Sequence, residues 1–120
     1  MLNRSLTVKI LKRTKELIQA GWIQRWWAHN IYGCPVPTTC STAVRFCILG
    51  ALEKSEYEIV PLTVYGRSTG ITRFLAEYKG KHVNLAEYND KPGRRKSTIV
   101  RYLDGAIKAA ENLPDVETTT

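Results

Sequence analysis

From Ser97 onward, Ile99, Val100, Leu103, Ala106, Ile107 and Ala110 fall on one face of a helix, and that one-sided stripe must find something to bury against. Ser97 is the expected N-cap. A second stripe precedes it: Leu6, Ile10, Leu17 and Ile18, with Val8 and Leu11 beside them, predict a helix over 5–20. There Ser5 is the expected cap, Gly21 the expected stop, and Lys9, Lys12, Arg13 and Glu16 lie on the opposite side. A third helix is expected from Ser41, with Ala43, Val44, Cys47, Ile48, Ala51 and Leu52 forming a broad apolar face. Gly50 on that face admits another backbone at close range. Ile71, Phe74, Leu75 and Tyr78 predict a short helix that Gly80 ends. Trp22, Trp26 and Trp27 stand at helix-compatible spacing before Gly33, Pro35 and Pro37 break regular structure. Tyr57–Tyr65 is β-branched and aromatic, so it favours an extended segment that Pro61 confines to an edge or loop. His82–Tyr88 alternates loosely and reads as a second strand. The expected fold is therefore mainly α, with α+β as the alternative: a compact three- to four-helix domain carrying a short two-stranded extended element. Residues 1–114 are expected to form one globular domain and 115–120 a frayed polar tail.

A chain of 120 residues buries a core large enough to fold without disulfides or a metal. The longest apolar run, Cys47 to Leu52, is too short to cross a bilayer, and the N-terminus carries no apolar leader. Three cysteines in no paired framework suit a reducing interior, so a cytoplasmic location and no membrane partner are expected.

The net charge of +7 is unevenly placed. Residues 1–25 hold six Lys/Arg against Glu16 alone, and residues 91–101 hold Lys91, Arg94, Arg95, Lys96 and Arg101 with no acid. The segment between them cancels. Two basic blocks are the footprint of a polyanion partner, and equally a common solvated surface.

Three stretches look tied to one another: Gly21-Trp22-Ile23-Gln24, Cys47-Ile48-Leu49-Gly50-Ala51-Leu52, and Tyr88-Asn89-Asp90-Lys91-Pro92-Gly93-Arg94. In order, they resemble a family of small bacterial and phage proteins classed as a domain of unknown function. Its members carry Gly-Trp-x-Gln, Cys-x-x-Gly-Ala-Leu and aromatic-Asn-Asp-x-Pro; Tyr88 stands where that family more often has Trp. The resemblance implies no activity. Physically, Gln24, Cys47, Gly50, Asn89 and Asp90 suggest a shared packing solution in which an indole fills the notch at Gly50, with a ligand pocket as the competing reading.

Arg94, Arg95 and Lys96 crowd the positive pole of the last helix, where each cation costs a few tenths of a kcal/mol up to about 1. A bound phosphate would offset them by taking the N–H groups of Ser97, Thr98 and Ile99; screening by Asp90, Glu87 and solvent is the plainer alternative. Lys12 and Arg13, with Lys9 and Lys15, would extend that footprint if the first helix lies beside the last. The Trp cluster around Arg25 suits a partner or self-association interface, or base stacking. Cys34, Cys40 and Cys47 with His29 and His82 match no zinc-ligand spacing. Cys40, expected at a helix N-terminus, is a candidate nucleophile with His29 or His82 as its base. Glycine-rich, Walker, His-Glu-x-x-His and Gly-x-Ser-x-Gly templates are absent.

The expectation is a non-enzymatic binding or accessory protein, without cofactor or metal, engaging a protein or anionic partner through the Trp cluster and basic blocks. A non-specific DNA or RNA binder working through phosphate contacts, and a cysteine-dependent enzyme, are the alternatives. Homo-oligomerisation stays open.

Overall fold

The longest helix, α1 (Arg4–Ala20), buries Thr7, Ile10, Leu11, Thr14, Leu17 and Ile18 along one stripe. The computed structural model describes residues 2–60 and 70–114. After α1 come β1 (Ala28–His29), β2 (Arg45–Phe46), α2 (Ile48–Ile59), α3 (Ile71–Glu77), α4 (Leu85–Asp90) and α5 (Lys96–Ala110). The chain is mainly helical, with a two-stranded antiparallel ribbon that pairs Ala28 with Phe46 and His29 with Arg45.

α1 is the central element: it packs on α5 on one side and on α2 on the other. From α5 the buried face is Ile99, Tyr102, Leu103, Ala106, Ile107 and Ala110. From α2 it is Ile48, Gly50, Ala51, Leu52 and Ser55. Ile71 and Leu75 of α3 and Leu85 of α4 close the same core. Each fully buried Ile or Leu contributes about 1.5–3 kcal/mol of transfer free energy. Inside the α1–α2 seam, Thr14 donates to Ile10 O and Ser55 to Ala51 O, leaving their hydroxyl oxygens 3.1 Å apart. Across α3, α4 and α5 the rings of Tyr78, Tyr88 and Tyr102 pack with centroids 4.7–5.0 Å apart.

Several local expectations are corrected. α1 is capped by Asn3, whose side chain accepts from Leu6 N, and not by Ser5. Gly21 ends α1 in extended backbone with φ −174°, so left-handed geometry is not why glycine stands there. A Cβ at that position would lie 2.5 Å from Val44 O. The second long helix starts at Ile48 rather than Ser41; its N-cap is Cys47, whose thiol accepts from Gly50 N at 3.3 Å. His82–Tyr88 is not a strand: Asn84 caps the short α4, its side chain accepting from Glu87 N. Tyr57–Ile59 continue α2, and the rest of the expected segment at 61–65 lies outside the described residues, as does the tail at 115–120. The extended pair instead forms at 28–29 and 45–46. The three tryptophans are not on a helix; they occupy the irregular segment between α1 and β1 and the entry to β1 itself. Ser97 sits inside the first turn of α5, whose N-cap is Arg95, a residue with no side-chain hydrogen bond to the helix.

Candidate functional site

The three linked stretches converge on Asn89, which is fully buried. Its Oδ1 accepts from the Trp22 indole N–H at 2.8 Å and from Ile48 N at 3.0 Å. Its Nδ2 donates to Ile23 O at 3.1 Å and to Asp90 Oδ1 at 2.9 Å. Gln24 donates to the carbonyls of Asn89 and Lys91, both at 3.0 Å. Asp90 Oδ1 also accepts from Arg25 N at 2.8 Å, holding Arg25 at φ 76°. A non-glycine residue there is uncommon and needs such an anchor. Gly50 completes the joint: a Cβ on it would lie 1.9 Å from Trp27 O. The notch is therefore filled by main chain, not by an indole, and Cys47 N donates to the same carbonyl at 3.2 Å. One carboxamide thus ties the end of α1, the start of α2 and the end of α4 together.

α4 leads through the Lys91–Arg95 turn into α5. Lys91, Arg94, Arg95, Ser97, Thr98 and Arg101 line a solvent-open hollow of about 380 Å³ at that corner. Arg94 is partly committed: Nε donates to Tyr88 O at 2.8 Å and the guanidinium lies 4.0 Å from the Tyr88 ring centroid. Lys96 points away to α1, where Nζ donates to Gln19 O at 3.1 Å. That contact offsets its unfavourable place at the α5 N-terminus, because Gln19 belongs to the negative pole of α1. Thr98 N and Ile99 N both turn to Arg95 O, so two of the three amides expected to face a phosphate are already occupied. Ser97 N remains. Arg95 and Arg101 are exposed and meet no carboxylate among the described residues. Glu87 and Asp90 line the adjoining depression with Tyr88, Pro92 and Arg94.

The Lys96–Gln19 contact at one end and the Lys15–Asp104 ion pair at 2.6 Å further along show α1 and α5 to be antiparallel. At the far end Arg4, Lys9, Lys12 and Glu111 line a second open hollow of about 540 Å³. Lys12 therefore joins the α1–α5 face. Arg13 does not: it faces α2, donating to Glu58 at 2.7 Å and to Glu16 at 3.1 Å. The Arg13 guanidinium holds the Glu58 carboxyl below its ordinary range, and Glu58 in turn raises Arg13.

Trp22 is half-buried with its indole N–H on Asn89, so it faces the joint. Trp26 and Trp27 are 54% and 49% exposed, and Ile31 and Tyr32 beyond them are more so. Nothing in the spacing of residues 22–27 signalled Ile31 and Tyr32; the cue was the Asn30-to-Gly33 turn, where Asn30 Oδ1 accepts from Tyr32 N and Cys34 N. Arg101 was legible only as part of the acid-free block.

Cys47 is buried, and burial pushes its thiol pKa up. Cys40 lies in the loop before β2, so the helix-dipole argument for its reactivity fails. Its pKa is lowered instead by the hydrogen bond with Thr42 Oγ1 at 3.1 Å. His82 pairs with Glu77 and His29 with Asn30 O. Among the described residues no group of three His, Cys, Asp or Glu could hold a metal. No helix among them is long and apolar enough to cross a membrane.

Fold and joint together define a small, mainly helical protein built on an α1–α5 pair, with cationic hollows at both ends and a protruding aromatic loop. Residues 3–109 match the model of a family of unknown function, DUF6197, and the chain belongs to that family. No curated protein and no solved structure matches it.

Proposed function

We propose that the chain is a non-enzymatic binding module for a polyanion, held through phosphate-like groups along the α1–α5 face. The observation that carries this reading is the hollow at the Lys91–Arg95 turn, where Arg95 and Arg101 stand exposed on the same helix pair whose opposite end carries a second cationic hollow. Lys9 and Lys12 stand at one end of the pair, Lys91, Arg95 and Arg101 at the other. Arg95 and Arg101 have no competing carboxylate among the described residues, so an external anion meets their full charge. Ser97 N and the α5 dipole add to the pull.

The test is affinity for an anionic polymer across salt concentrations. Each lost phosphate contact lowers the slope of log K against log salt by about 0.7–0.9. Arg95→Ala with Arg101→Ala is expected to flatten it by about 1.5, while Arg73→Ala, whose partner is Glu77 on α3, leaves it alone. An unchanged slope in the double variant overturns the proposal. A second reading, a protein partner docking on the aromatic loop, is favoured by the exposure of Trp26 and Trp27, since tryptophan is enriched among the hot-spot residues of protein interfaces.

A further inference from the structure

We infer that the polyanion is a single-stranded nucleic acid whose unpaired bases stack on Trp26 and Trp27; this rests on the polyanion reading above. Three observations converge. First, the main chain that carries the indoles is held in place. Arg25 is clamped through its N–H to Asp90, and Trp27 through its carbonyl to Cys47 N. The main chain of Trp27 also lies against Gly50. With that main chain already ordered, seating a base on an exposed ring does not also have to order the loop.

Second, the loop begins at the rim of the cationic hollow. Gln24 is bonded to Lys91 O and Arg25 to Asp90, and Lys91 is the first residue lining that hollow. A strand whose phosphates sit near Arg95 and Arg101 therefore passes the segment that leads to Trp26.

Third, the loop's charge has one sign. From Leu17 to Leu52 the sequence has no Asp or Glu, while Arg25 and Arg45 are exposed. The acids that contact it are both engaged: Asp90 turns Oδ1 onto Arg25 N and Asn89, and Glu53 accepts from the Thr38 hydroxyl. Aromatic faces on a segment whose own charges are all cationic match a backbone of phosphates carrying flat bases. A duplex hides those faces in its own stack, so exposed indoles select unpaired strands. Stacking reads no base edge, so binding is sequence-tolerant.

The experiment compares oligothymidine of about a dozen nucleotides with an abasic oligomer of equal phosphate number and with a duplex, by indole fluorescence and titration. Oligothymidine is expected to quench the exposed indoles and bind about tenfold or more tighter than the abasic strand. Trp26→Ala with Trp27→Ala lowers its affinity to the abasic level with the salt slope intact. These side chains are half-exposed and the loop is held through main-chain groups, so the variant keeps its fold, checked by circular dichroism. Equal affinity for normal and abasic strands, or preference for the duplex, overturns the stacking inference and leaves the polyanion reading standing. No salt-dependent binding to any of the three removes both.

Discussion

Asn89→Ala tests the joint most directly. The substitution strips the partner from the N–H of Ile48, a residue fully buried at the start of α2. An unpaired buried donor costs about 1–3 kcal/mol. The Trp22 indole N–H and the Ile23 carbonyl are half-buried and recover some hydration, at about 0.5–1 kcal/mol each. The expected loss is therefore about 3–4 kcal/mol, a large share of the roughly 5–15 kcal/mol typical of a domain. Urea denaturation at pH 7 reads it as a lower midpoint with unchanged slope. Asn89→Asp sharpens the test. The introduced carboxyl keeps the two acceptor contacts but faces Ile23 O and the Asp90 carboxylate where Nδ2 used to donate. Burial and repulsion raise its folded-state pKa above the unfolded value of about 3.9, so the protonated form is favoured in the fold. Its destabilisation is then least at acid pH and grows as pH rises from about 4, levelling only above the raised pKa. A loss under about 1 kcal/mol for Asn89→Ala, or an Asn89→Asp deficit flat in pH, would refute the idea that one carboxamide holds the three segments together.

Gly50→Ala places a methyl 1.9 Å from Trp27 O, a main-chain atom pinned by Cys47 N, so a loss of about 3 kcal/mol or more is expected in thermal melts. Tyr78 and Tyr102 have phenol pKa values pushed up to about 12 by burial, and each donates to a main-chain carbonyl, Tyr102 O and Leu75 O. Their contribution is complete below the ordinary phenol value of 10 and is lost as pH climbs toward 12, so urea midpoints should fall across that window. Tyr78→Phe should cost about 1 kcal/mol at pH 7 and weaken the alkaline dependence; midpoints flat to pH 12 would contradict the burial argument.

The helices that proved legible in the sequence are those whose signal is local. In α1 and α5 the 3.6-residue stripe runs for four turns, and tertiary packing only has to accept it. The start of α2 was misplaced because Ala43 and Val44 belong to the approach to β2, and because a cysteine thiol is not among the usual capping groups. α4 passed for a strand because its buried face includes Asn89, a polar residue that breaks the apolar count. The Asn89 motif itself could be seen to matter, yet apart from Asp90 its partners lie 41 to 67 residues away, and no periodicity encodes a contact at that range. The same holds for the cationic face. Composition shows two basic blocks, but only the antiparallel seam through Lys15 and Asp104 sets them at the two ends of one helix pair, and only the structure turns Arg13 away to Glu58.

The clamp at Gly50 has a cost that falls outside the fold. With the Trp27 carbonyl wedged over a glycine and bound by Cys47, the backbone under this half-exposed indole is fixed at the surface, so part of its apolar area stays in water. What then keeps neighbouring molecules from sticking through these rings is mutual repulsion from a net charge of +7. That guard fades as the solution approaches the isoelectric point near 9.5, where colloidal stability should be poorest although each molecule is still folded.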